Sequence, residues 1–233
     1  MAAKDREKKE KLILDGAIKL FNTKGYTATK MEDVAKQAKI SKGLTYFYFK
    51  NKEDLYMAVT KKAFDELRAV FREVYKVKGR TGMEMLTELT GKYIDFVLEN
   101  RMLNEAILNF MNLVQMYNKE ELRSAIHPLI LESEHFQKLL EIQHDCGKLG
   151  IQMVSLGIKD GSIRPELQAE ITFYTIWSML IGFERLSGPV DYEGKDLKIH
   201  LENWKPGFIK LMQEMLKGTI QASKPKVVQA SLF

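Results

Sequence analysis

Residues 41–52, Ser41-Lys42-Gly43-Leu44-Thr45-Tyr46-Phe47-Tyr48-Phe49-Lys50-Asn51-Lys52, set four consecutive aromatic rings among three lysines. Ammonium groups pair with phosphates, and tyrosine hydroxyls reach the edges of bases. A short helix in a small domain cannot bury rings on every side, so some of these rings face outward. The competing reading is a hydrophobic anchor for another helix.

Other residues with chemical potential are scattered. His144-Asp145 is a doublet with His127 and His135 upstream and Cys146 beside it. The doublet resembles that of helical metal-dependent phosphohydrolases. Metal ligands on one helix favour i, i+3 or i+4 spacing, whereas His127 and His144 lie 17 residues apart. No motif places a further acidic ligand. Cys146 could serve as a nucleophile, but a lone buried thiol is inert. There is no phosphate loop and no Gly-rich dinucleotide fingerprint. No catalytic residue, metal or cofactor is therefore expected.

The elements that would position residues 41–52 can be read from pattern. Residues 4–24 form a helix, with Leu14, Ala17, Ile18 and Phe21 at i, i+3, i+4 and i+7. Gly25 suits a left-handed cap. A second helix follows Thr29, which has capping-box spacing to Glu32. Met31, Val34, Ala35 and Ala38 form its buried stripe. Lys39-Ile40 is the turn, and Ser41 caps a third helix over 42–49. Asn51 caps a fourth that runs to about Lys76, with acids at its positive end. Further helices are expected over 83–99, 103–116, 119–158, 166–186 and 196–217, with His127-Pro128 kinking or dividing the third. Gly79 to Gly82, Lys159 to Ser162 and Ser187 to Val190 are turns. No strand alternation and no repeat is found.

Charge follows the same division. The chain has 233 residues and a net charge of +5. Residues 1–60 carry 13 Lys/Arg against 8 Asp/Glu, while the remainder holds 23 of each sign. All the excess positive charge thus lies in the first quarter, as for a module that meets a polyanion, or for a solvated lysine-rich helix face. With 45% hydrophobic and 29% charged residues the chain is an ordinary globular one. One cysteine permits no internal disulfide and fits a reducing compartment. The longest uncharged apolar run, 171–183, is short of the roughly 20 residues of a membrane span. The N-terminal apolar stretch carries Asp15 and Lys19 and is a poor secretory signal. A cytoplasmic protein without membrane attachment is expected.

Three short helices in about 50 residues, the last two joined by a tight turn, make a helix-turn-helix pattern. Residues 29–55 closely resemble the DNA-binding segment of the tetracycline-repressor (TetR) family. The match rests on Val34-Ala35, Ser41-Lys42-Gly43, Tyr46, Phe49, Lys52 and Leu55 at the family's spacing, and extends over about residues 8–60. It implies that residues 42–48 enter the major groove. Lys42, Gly43, Tyr46, Phe47 and Tyr48 match DNA-touching positions, and Lys52 matches a phosphate contact at a helix N-terminus. Lys30 is a second candidate phosphate clamp, and Thr29 beside it is grouped with these DNA-facing residues. One position departs from the family: Thr45 stands where an apolar residue packs inward. Periodicity alone would bury Leu44 and Phe47. The family register instead turns Thr45 and Phe49 inward and leaves Leu44 facing the groove, where it could touch a thymine methyl.

Beyond residue 60 the likeness is architectural. The resemblance implies an all-α protein of about nine helices. It would comprise a helix-turn-helix domain (1–51), a connecting helix (52–78), a ligand-binding and dimerisation bundle (79–218) and a flexible tail (219–233). The body is rich in methionine and aromatic residues, which suit an adaptable cavity or an ordinary core. Phe110, Met111, Tyr117, Phe173 and Trp177 are its candidate pocket residues. The helices over 166–217 are amphipathic. Ile171, Tyr174, Thr175, Ser178, Ile181 and Gly182 give one of them a small-and-apolar face suited to close approach, and in the family the last two helices pair across a two-fold axis. The expectation is a homodimeric transcriptional regulator, more a repressor than an activator. It would bind palindromic operator DNA and respond to an unknown small-molecule effector. The alternative is a helical ligand- or protein-binding module whose DNA-binding segment is vestigial, and behind it the metal-dependent hydrolase.

Overall fold

The computed structural model describes residues 2–186 and 201–217, and no strand occurs among them. The expected tail and the turn at 187–190 lie outside the described residues. The chain divides into two compact units.

The first unit comprises residues 1–76 and 92–149. It contains α1 (Ala2–Ala28), α2 (Met31–Ala38), α3 (Lys42–Tyr48) and α4 (Lys52–Lys76). The second half of α5 (Gly82–Glu99) follows, then α6 (Arg101–Asn118), α7 (Glu120–Arg123), α8 (Pro128–Leu131) and α9 (Glu134–Ile142). The predicted stripe of α2, Met31, Val34, Ala35 and Ala38, is the one buried. On α1 the buried stripe is rotated from the expected one: Ile13, Ala17, Leu20 and Phe21 are buried, while Leu14 and Ile18 are only half-covered. Gly16 explains the rotation, because a Cβ there would stand 3.3 Å from the backbone nitrogen of Ala38. The glycine lets α2 lie close, and the apolar residues beside it set the face. Gly25 (φ 78, ψ 164) interrupts α1 in a conformation that is essentially glycine's own.

The long α4 is the spine of this unit, packed against α1, α6 and α9. Phe21, Tyr26 and Tyr56 cluster where α1 meets it, with ring centroids 4.8–5.9 Å apart. Asn109 on α6 donates its amide to the Tyr56 hydroxyl at 3.1 Å.

The segment expected as helix over 119–158 is divided at His127-Pro128, as expected, and further than that, into α7, α8, α9 and α10 (Asp145–Asp160). The breaks have local causes. Pro128 occupies the first turn of α8, and the His127 ring accepts the Leu129 N–H. Ser133 is the N-cap of α9, accepting the His135 N–H at 3.2 Å.

The described residues of the second unit are 77–91, 150–186 and 201–217. It holds the start of α5, most of α10, α11 (Ala169–Leu186) and α12 (Leu201–Lys217). Backbones meet here without side chains between them. A Cβ on Gly82 would lie 2.1 Å from the nitrogen of Gly157. The Gly82 N–H donates to Asp160 and the Met83 N–H to Ser162, so the turn after α10 caps the start of α5. Phe208, Met212 and Leu216 form the buried face of α12. No helix among the described residues is long and apolar enough to cross a membrane.

Candidate nucleic-acid interface

The third helix is short and well bounded. Ser41 accepts the Leu44 N–H at its start, and the Phe49 N–H closes on Thr45 O at its end. Thr45 is fully buried, its hydroxyl donating to Ser41 O at 3.1 Å, and Phe49 is 1% exposed. The two inward residues are thus those of the family register. A threonine is tolerated at the apolar position because its hydroxyl is satisfied within the helix. Burial of Leu44 and Phe47, as bare periodicity suggests, does not occur. Leu44 is half-exposed and Phe47 is 74% exposed.

The outward face carries Lys42, Gly43, Tyr46 and Phe47, all exposed, with Tyr48 half-exposed at its edge. The Phe47 and Tyr48 rings stand edge to face, with centroids 5.7 Å apart. A Cβ on Gly43 would meet nothing within 4 Å. Lys42 lies 5.9 Å over the Tyr46 ring and pairs with Glu32 of α2 at 2.7 Å. The Lys42 ammonium beside it holds the Glu32 carboxyl below the usual range. Glu32 therefore competes with any phosphate for Lys42. Glu32→Gln is expected to tighten DNA binding several-fold and to steepen its salt dependence, measured by anisotropy titration at two salt concentrations.

Flanking cations stand on both sides. Lys30 is exposed at the N-cap of α2, its backbone N–H donating to Asp33 at 3.4 Å. The N-cap is one residue later than the expected Thr29, and Asp33 takes the role expected of Glu32. Thr29 requires a correction. It is 1% exposed and its hydroxyl donates to Gly25 O at 2.8 Å, so it closes the turn after α1 and presents nothing outward. Lys52 was legible as a cation but not as a tie. Its ammonium donates to the carbonyls of Tyr26 and Thr27 at 3.1 and 3.2 Å and lies 4.4 Å over the Tyr26 ring. Two of its three N–H groups hold the end of α1 against the start of α4, and one remains for a phosphate.

The other constellations come apart. Asp145 is bound by Arg68 at 3.0 Å, with Arg72 at 3.9 Å. His127 caps α8, and His135 sits at the start of α9, where burial lowers its pKa. Among the described residues no three His, Cys, Asp or Glu side chains converge on a metal position. Burial pushes the Cys146 thiol up to about 12. Cys146 is expected to resist alkylation by iodoacetamide at pH 8 until the chain is unfolded, which mass spectrometry would show.

The candidate pocket residues are divided between the units. Phe110 and Tyr117 both pack edge-on against Phe136, at 5.8 and 5.6 Å, in the first unit. Met111 beside them is 37% exposed. Phe173 and Trp177 stack at 5.9 Å in the second. Phe136, one of the aromatic residues of the body but not a candidate pocket residue, is the ring that joins two of the candidates.

A capped aromatic helix held outward on a three-helix platform, flanked by lysines, defines a helix-turn-helix DNA-binding module. Residues 13–59 match the family model described as bacterial regulatory proteins, tetR family. The HTH-type transcriptional regulator YhgD of Bacillus subtilis is 31% identical over 188 residues, spanning 79% of this chain and 89% of that protein. The HTH-type transcriptional repressor KstR2 of Rhodococcus jostii is 28% identical over 163 residues, 69% of this chain and 71% of that one. Among solved structures, the regulator FadR of Bacillus subtilis in complex with stearoyl-CoA superposes with a TM-score of 0.60. It is 22% identical, and the alignment covers 86% of this chain and 96% of that chain. The chain belongs to the TetR family and is a DNA-binding transcriptional regulator.

Proposed function

We propose that this chain is a cytoplasmic repressor that binds a palindromic operator as a two-fold homodimer and leaves it on binding a small molecule. The observation that carries the reading is the outward face of α3. An aromatic ring as exposed as Phe47, beside an open Gly43 and a half-exposed Tyr48, has no function inside this fold and suits a groove of DNA. Lys42, Tyr46 and Leu44 would share that groove, with Lys30 and the free N–H of Lys52 on phosphates.

One helix of this length reads only a few base pairs, so affinity and specificity call for two, about 34–36 Å apart. The dimer surface we assign is the outer face of α11 and α12. Ile171, Tyr174, Thr175 and Ser178 are exposed, with Ile181 and Gly182 half-exposed, and Leu211 on α12 is 49% exposed. The Thr175 and Ser178 hydroxyls donate back to their own helix, which leaves that face effectively apolar. Repression is favoured over activation by the likeness to KstR2. The effector reading draws on the stearoyl-CoA held by FadR, and we place the effector against the Phe110, Tyr117 and Phe136 rings.

The test is footprinting of full-length protein on the DNA upstream of its own coding sequence. Two protected half-sites about one helical turn apart, at two protomers per duplex, are expected. A single protected half-site at one protomer per duplex would contradict the dimer.

A further inference from the structure

The body grips the far end of the recognition helix at one carboxylate. Asp54, 7% exposed in the first turn of α4, uses both oxygens. Oδ2 accepts the backbone N–H of Lys50, just past the end of α3, at 3.2 Å. Oδ1 accepts the hydroxyl of Ser133, the N-cap of α9, at 2.6 Å. Ser133 is itself 2% exposed, and its oxygen also accepts the His135 N–H. A second contact runs beside the first. The His135 ring lies 6.1 Å from the ring of Phe49, the buried residue that ends α3. At its other side α9 carries Phe136, which packs on Phe110 and Tyr117 of α6.

We propose that Ser133 and Asp54 are positioning residues for DNA recognition, through which the place of α9 sets the angle of α3. The argument is one of donors and acceptors. A carboxylate can take the Lys50 N–H and the Ser133 hydroxyl together, because each oxygen serves one donor. An amide at position 54 keeps one acceptor oxygen: with that oxygen on the Lys50 N–H, its NH2 faces the Ser133 oxygen and the Ser133 hydroxyl proton loses its buried acceptor. Both groups are buried, so a lost partner is not replaced by water without cost. A displacement of α9 that breaks the Ser133 bond leaves Asp54 free to turn, and the carboxylate-to-amide bond that fixes residues 49–50 loosens with it. The rings at Phe110, Tyr117 and Phe136 give an occupant of that cluster a direct purchase on α9. This last clause rests on the proposed effector position, whereas the link between Ser133 and α3 stands without it.

The experiment is amide hydrogen exchange on the full-length chain, paired with anisotropy titration of a labelled duplex from its own upstream region. Asp54→Asn is compared with wild type, and Ser133→Thr with Ser133→Val, an isosteric pair that differs by the hydroxyl alone. Asp54→Asn and Ser133→Val are expected to raise exchange over residues 42–50 by about tenfold or more, with α2 unchanged, and to weaken the duplex about tenfold. Ser133→Thr is expected to retain wild-type values in both. Unchanged exchange over 42–50 in folded Asp54→Asn and Ser133→Val would overturn the proposal. So would a rise spread evenly over the whole chain, which marks a merely structural role. If Asp54→Asn does not fold, the Thr and Val pair decides, and if Ser133→Val does not fold, Asp54→Asn decides; equal behaviour of Thr and Val removes the hydroxyl from the account. Failure of wild type to prefer its upstream duplex would instead count against the proposed function and leave the exchange result standing.

Discussion

Phe47→Ala is expected to leave the melting temperature within about 1 °C of wild type and to weaken binding to the preferred duplex roughly ten- to a hundredfold. Both halves follow from exposure. The ring is 74% exposed and stands edge to face with Tyr48, so its removal creates no buried cavity in the fold. In the groove the same ring would be covered on all sides, and a ring or base-edge contact of this kind contributes about 1–3 kcal/mol. Calorimetry and anisotropy titration on one preparation check the two halves. A destabilised chain with unchanged DNA affinity would make the ring structural. The parallel change Tyr48→Ala should be less clean, because Tyr48 is half-buried and its loss also touches the edge of the domain.

The largest effect on stability is expected from Gly82→Ala. An added Cβ would lie 2.1 Å from the nitrogen of Gly157 and 2.4 Å from the carbonyl oxygen of Met153. These are backbone atoms of α10 and cannot swing aside as a flexible side chain would. The start of α5 must withdraw, breaking the Gly82 N–H bond to Asp160 and the Met83 N–H bond to Ser162. Overpacking of this kind costs typically 1–3 kcal/mol, and the lost caps bring it to about 3 kcal/mol. For a chain of this size that lowers the melting temperature by roughly 6–12 °C, measurable by calorimetry. Gly157→Ala should cost less, since its Cβ meets first the tip of Ile163. An unaltered melting temperature in Gly82→Ala would refute the close packing of α5 on α10.

These two positions mark what could and could not be read from residues in a row. The helix-turn-helix was legible because its signals are local: Ser41 as a cap, the α2 stripe, and four rings that no short helix could hide. The inward register of Thr45 and Phe49 came from the family pattern and overruled simple periodicity, and the satisfied Thr45 hydroxyl supplies the physical reason. Local signals also misled. Thr29 and Glu32 have capping-box spacing, yet the Thr29 hydroxyl bonds backward to Gly25 and the cap moves on by one residue. The segment expected over 119–158, kinked or divided at His127-Pro128, passed over a further break at Ser133, whose cap was visible. Nothing local could reveal the pairing of Asp54 with Ser133 or of Gly82 with Gly157. Those partners lie more than 70 residues apart in the chain and meet only once α4, α5, α9 and α10 have packed. Equally, the partner of Asp145 in the His144-Asp145 doublet is a distant one, the guanidinium of Arg68.

The most direct measurement is an anisotropy titration of full-length protein against its own upstream duplex and a scrambled duplex of the same length, at two salt concentrations. The account predicts preference for the upstream duplex, and an affinity that falls with salt along a log–log slope of about −0.9 for each phosphate contacted. Equal affinity for the two duplexes, or an affinity indifferent to salt, would contradict it.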